Sequence, residues 1–191
     1  MATAVFAALV AAPLAAQGVS PTVYVGGSIP MSVPVTASVG GVCGFGGDVP
    51  QGSFDAGAID TTAWTHDFNF EIDCNVASRV AVVSTNGGLK TPGAISEPGY
   101  VGLAPYTVAL NLVGNTVSIG GSCDVATLLA LAGMPCSFLG PASAAQGLRL
   151  AGPSQNQISY VRVSAPAYAG PGSLVSGSYG DTLTVTIAAA P

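Results

Sequence analysis

Thr182-Leu-Thr-Val-Thr-Ile187 sets Leu183, Val185 and Ile187 on one side of an extended chain and three threonines on the other. Side chains of a strand alternate between two faces, so this strip predicts a half-buried β-strand. The same alternation recurs upstream. Phe68, Phe70, Ile72 and Cys74 share a face, with His66, Asn69, Glu71 and Asp73 beside or opposite them. Tyr106, Val108, Leu110 and Leu112 repeat the pattern, and Gly114-Asn115 then predicts a two-residue hairpin turn into Val117 and Ile119. Val80 to Val83 reads as a short buried strand, and Ile158 to Val163 as another with Arg162 facing out.

The spacers Gly44 to Gly52, Thr85 to Gly99 and Gly140 to Gln157 are rich in turn residues. Many short strands joined by Gly/Pro turns predict an all-β fold of the sandwich kind. Asp124 to Gly133 departs from this pattern: DVATLLALAG predicts a short helical insert, with Asp124 near its start and Gly133 as its stop.

The N-terminal end divides in two. Residues 1–18 begin with MATAVFAALVAAPLAA, an apolar run with small residues at its end, which predicts a secretory signal that lacks a leading Lys or Arg. The run is too short to span a bilayer, and no later stretch approaches ~18 unbroken apolar residues. After it, Val19, Pro21, Val23, Val25, Gly27, Ile29, Met31 and Val33 form a long alternating strip. Strands typically run ~5–6 residues, so this strip predicts two strands with a break near Gly26-Gly27 or Pro30.

Composition narrows the function classes. Four basic residues against nine acidic ones, with net charge -5, leave no footprint for nucleic acid or an anionic membrane. Only 7% of residues are charged, far below the usual ~25%. With 49% apolar residues the chain is not disordered, and its Gly, Thr, Val and Ala content suits a β-rich surface protein packed against neighbours. Cys43, Cys74, Cys123 and Cys136 contain no CxxC pair, and His66 is the sole histidine, so zinc ligation has little support. An even count in an exported chain predicts two disulfides, and four cysteines leave three pairings open.

The chemical alternatives are thin. His66-Asp67 is half of a triad at most and reads as an exposed histidine at a strand start; no Gly-x-Ser-x-Gly elbow is present. Asp55, Asp60, Asp67, Glu71 and Asp73 lack calcium-loop spacing and read as a solvated surface. Gly44-Phe-Gly-Gly47 opens no helix, so it is not a phosphate cradle. Trp64 and Tyr100 are the aromatic candidates for stacking on a sugar, with burial and loop anchoring the commoner uses. No catalytic residue, metal or cofactor is expected.

Four stretches stand out together: Val35-Thr-Ala-Ser-Val-Gly-Gly-Val-Cys43, Phe54-Asp55 leading to Phe70-Glu-Ile-Asp-Cys74, Pro105-Tyr-Thr-Val-Ala-Leu-Asn-Leu112, and Gly177-Ser-Tyr-Gly-Asp-Thr-Leu-Thr-Val-Thr-Ile187. As an ordered set they resemble the spore coat protein U family, whose members include subunits of archaic chaperone–usher pili. The last stretch is similar to the family's closing Gly-x-Tyr-x-Asp-Thr-(apolar)-Thr-Val-Thr pattern and is the most specific. The resemblance runs from about residue 33 to 187. The chain departs from it in the Cys123–Cys136 insert and the Gly/Ala-rich stretch Gly133 to Gly152.

Together with proximity along the chain, the resemblance implies the pairs Cys43–Cys74 and Cys123–Cys136. It also implies an incomplete immunoglobulin-like β-sandwich in residues 33–191. Its groove beside the Leu183, Val185 and Ile187 strand would be filled first by a periplasmic chaperone. The N-terminal strip of another subunit would then replace the chaperone, with passage through an outer-membrane usher. In that scheme residues 19–32 are the donor strand and linker, and Val19, Pro21, Val23, Val25 and Ile29 face the groove. The implied product is a surface fimbrium of this chain or related subunits, serving adhesion and biofilm formation. Two alternatives stay open: a self-complemented monomeric surface domain, in which Val19 to Val33 fold back on their own groove, and a glycan-binding tip adhesin.

Overall fold

A computed structural model describes residues 36–47, 52–130 and 135–190. The chain divides at Ser38, and the fold described is that of the second unit, Val39–Pro191. The fold is all-β. A five-stranded antiparallel sheet has the order β1 (Cys43–Gly46), β2 (Trp64–Cys74), β10 (Ser154–Ala165), β7 (Thr107–Val113), β8 (Ser118–Asp124). A three-stranded antiparallel sheet has the order β12 (Leu183–Ala189), β3 (Ser78–Ser84), β9 (Leu148–Leu150). Two small pairs complete it: β4 (Leu89–Lys90) with β6 (Leu103–Ala104), and β5 (Tyr100–Val101) with β11 (Ser173–Leu174).

The two larger sheets share one core. Ile72, Val108, Leu110 and Leu112 of the first meet Val80, Val82 and Leu150 of the second, each 0–1% exposed. Burying each such side chain stabilises the fold by roughly 1.5–3 kcal/mol. The outward face of β2 and β10 is largely polar, although Ile158, expected in a buried strand, is exposed there opposite Glu71. There Arg162 points to solvent and holds Asp67 through two hydrogen bonds, Nε to Oδ1 at 2.6 Å and Nη2 to Oδ2 at 2.7 Å. That bond and the guanidinium charge hold the Asp67 carboxyl below its usual range. In β10 the pairing with β2 slips between Ser154 and Gln157, at Asn156 with φ +56°, a bulge that one extra residue produces.

Several local expectations need correcting. The Val35–Cys43 stretch, which in the family resemblance stands for the opening strand and its cysteine, forms no strand over residues 36–42; Val39 and Val42 are exposed, and pairing begins at Cys43. Gly44, Phe45 and Gly46, expected in a turn, belong to β1 because the Cys43–Cys74 disulfide lays them along the end of β2. Leu89–Lys90 and Leu148–Leu150 are likewise strands inside expected spacers. The β7–β8 turn lies one residue later than predicted: Val113 pairs with Ser118 and Gly114 N–H donates to Val117 O, leaving Asn115-Thr116 between.

The predicted helix over Asp124 to Gly133 is one 3-10 turn, Val125–Leu128; β8 runs through Asp124, and residues 131–134 lie outside the described residues. Core packing overrides helix propensity here. Val125 and Leu128 are fully buried, and Leu129 bridges Ser84 of β3. The second disulfide joins Cys123 to Cys136. Phe138 then buries completely, its carbonyl accepts the Val82 N–H at 2.8 Å, and Gly140 N–H donates back to Val82 O. Gly140 sits directly on Ala81, where a Cβ would collide with the alanine methyl. The insert thus covers the part of the β3 edge that the short β9 leaves open.

Candidate functional site

The core is unevenly closed. On one side β8 lies against β9, and Leu128, Phe138 and Leu150 leave no exposure. On the other side β1 lies against β12, and the facing apolar residues are only half covered. β1 has four residues and pairs with Glu71 to Cys74 alone. Among the described residues, Trp64 to Phe70 therefore pair on one edge only, with β10. Among the described residues β12 pairs only with β3, from Leu183↔Ser84 to Ala189↔Ser78, and no described strand pairs with its other edge.

Between these two free edges lies a groove of about 1070 Å³. Its lining is mixed: Phe68 and Phe70 from β2, Val161 and Val163 from β10, and Leu183 and Val185 from β12 form an apolar strip, with polar groups such as Asp60, Asn69, Ser176 and Ser178 around it. Leu183, Val185 and Ile187 are half-buried and packed against the core, as the alternation predicted. Their β3 neighbours Val80 and Val82 are completely buried, which marks how the packing thins toward the groove.

One end of the groove is aromatic. Phe54 stacks on His66 with ring centroids 4.4 Å apart and planes at 9°, and Trp64 packs 5.9 Å from Phe54 and 5.7 Å from Tyr106. His66 was expected to be an exposed residue at a strand start. It lies within β2 on the face that carries Phe68, edge-on to that ring at 4.7 Å, and is half-buried. Its neighbours are aromatic rings, and among the described residues no serine or carboxylate is hydrogen-bonded to it. Tyr100, the other aromatic candidate, is half exposed in β5, and Trp64 alone lines the groove. Among the described residues no three His, Cys, Asp or Glu side chains converge as a metal would require.

A hydrogen-bonded knot fixes the start of β12 and the rim of the groove. Asp181 Oδ2 accepts from Ser84 Oγ at 2.6 Å and from Tyr106 OH at 2.8 Å, while Oδ1 accepts from the N–H groups of Asn86 at 3.0 Å and Thr182 at 2.8 Å. Burial, with the Asp181 carboxylate beside it, pushes the Tyr106 phenol above its ordinary value. Tyr179 OH lies 2.8 Å from Val175 O and anchors the preceding loop. The closing Gly-x-Tyr-x-Asp pattern is therefore the local scaffold of the rim. Sequence reading marked it only as a family signature and missed this role, along with those of Phe54, Phe68 and Tyr106 at the groove.

No family model, curated protein or solved structure matches this chain. No helix among the described residues is long and apolar enough to cross a membrane. Cys43–Cys74 and Cys123–Cys136 are both formed, a pattern compatible with an exported protein. Val19, Pro21, Val23, Val25 and Ile29, and the segments 1–18 and 19–32, lie outside the described residues.

Proposed function

We propose that this chain is a structural subunit of a chaperone–usher type surface pilus, of the spore coat protein U kind, that polymerises by donor-strand exchange. The observation that carries the reading is the groove. Its apolar strip is half covered, and the edge of β12 that no described strand pairs runs along it. An extended segment laid there satisfies both defects at once: its backbone pairs with β12, and alternate side chains enter the groove. On this reading the fold is an incomplete immunoglobulin-like sandwich, and the alternating strip from Val19 to Ile29 of another subunit completes it. The partners are a periplasmic chaperone, an outer-membrane usher and further subunits, and the product is an extracellular fimbrium for adhesion and biofilm formation.

Magnitudes support an assembly without covalent links. Burying Val19, Val23, Val25 and Ile29 gains roughly 1.5–3 kcal/mol each, about 6–12 kcal/mol together as an upper bound, before any backbone bonds. Val23 and Val25 are the central plugs. Replacing both with aspartate is expected to abolish fibres while leaving the complex with the chaperone intact, as scored by electron microscopy and co-purification. Normal fibres from the double variant would overturn the proposal.

A further inference from the structure

Residues 52–57 run beside the half of β2 that β1 does not reach, with Gly52 and Phe54 packed on its side chains. Phe54 lies flat on His66 and packs beside Trp64. Gly52 lies on the Phe68 ring so closely that a Cβ there would stand 2.9 Å from a ring carbon. No residue from Gly52 to Gly57 joins the β-ladder of β2. Among the described residues their one hydrogen bond is internal, Gly57 N–H to Asp55 Oδ1 at 2.9 Å. Phe54 keeps 37% exposure although it lies on apolar rings. This segment therefore covers groove aromatics by side-chain packing without backbone pairing.

We propose that Gly52–Gly57 is a displaceable strap, with Phe54 as placeholder in the aromatic end of the groove until an incoming strand takes its place. The inference rests on the strand-acceptor reading above. Removing the strap breaks no ladder bond, whereas the arriving strand gains a ladder along β12, so exchange runs downhill. Holding the rings covered meanwhile shields an apolar surface that otherwise invites adventitious association. Phe54 then opposes assembly kinetically, although it is an apolar residue of the groove wall.

The test follows multimer formation by the purified full chain on unboiled denaturing gels, with the emission of Trp64 recorded in parallel. Trp64 is the sole tryptophan, so its signal reports the groove. Phe54→Ala is expected to speed multimer formation about three- to tenfold, the factor that loss of one aromatic stack allows. Gly52→Ser is expected to act in the same direction, because its side chain lifts the strap from Phe68. Multimers in the wild type with no acceleration in both variants would overturn the strap and leave the acceptor groove standing. Absence of multimers from the wild type and both variants would overturn the acceptor reading, and the strap with it.

Discussion

At the scale of residues, the groove depends on a carboxylate that the strand pattern does not reveal. Asp181 gathers Ser84, Asn86, Tyr106 and Thr182 around one side chain and so fixes where β12 begins. Tyr106 is the titratable member. Its phenol is raised above the ordinary 10.0 by burial and by Asp181. The unfolded tyrosine ionises first as pH rises, so the stability due to the neutral phenol is complete below pH about 10 and is lost above it. Tyr106→Phe is expected to cost about 1 kcal/mol near neutrality, the usual worth of one hydrogen bond. Denaturant unfolding of both proteins from pH 8 to 11 checks this: the gap should narrow above pH 10. A constant gap would contradict it.

At the scale of elements, alternation located the long strands, since one buried face forces a period of two. Phe70, Ile72 and Cys74, Val108 and Leu110, and Leu183, Val185 and Ile187 all lie on the inward faces expected of them. Short pieces were not legible, because tertiary contacts make them. Cys43–Gly46 is a strand by virtue of its disulfide to Cys74, and Val125–Leu128 tightens to one 3-10 turn because Val125 and Leu128 must both reach the core. The groove was anticipated only from its β12 wall; its aromatic end joins Phe54, Trp64 and Tyr106 from separate segments, which no local pattern connects. The insert has a definite structural task, guarding the edge of β3. Replacing both Cys123 and Cys136 with serine, which opens a loop of sequence separation 13, is expected to cost about 3 kcal/mol. Hydrogen exchange should then lose protection at the Val82 amide, which bonds Phe138 O, more than at Val80, which pairs with Leu148. Equal protection at Val82 with and without the disulfide would contradict the edge-guard role.

At the scale of the whole molecule, the two sides of the sheet pair have opposite characters. The side of β8 and β9 is sealed by the insert, Phe138 and a disulfide; the side of β1 and β12 holds a half-covered groove between free edges. A free edge on a half-covered core is a template for a further strand; β8 is also an edge strand among the described residues, but Leu128, Phe138 and Leu150 close the core behind it. The low charge of the chain, with 7% charged residues, suits a surface that packs against copies rather than one that repels them. The most direct measurement is a denaturing gel of protein from native surface extracts, run with and without boiling. Exchange of strands between subunits predicts a ladder of multimers that collapses to the monomer on boiling. A monomer band alone in the unboiled lane would contradict it and place the completing strand within the same chain.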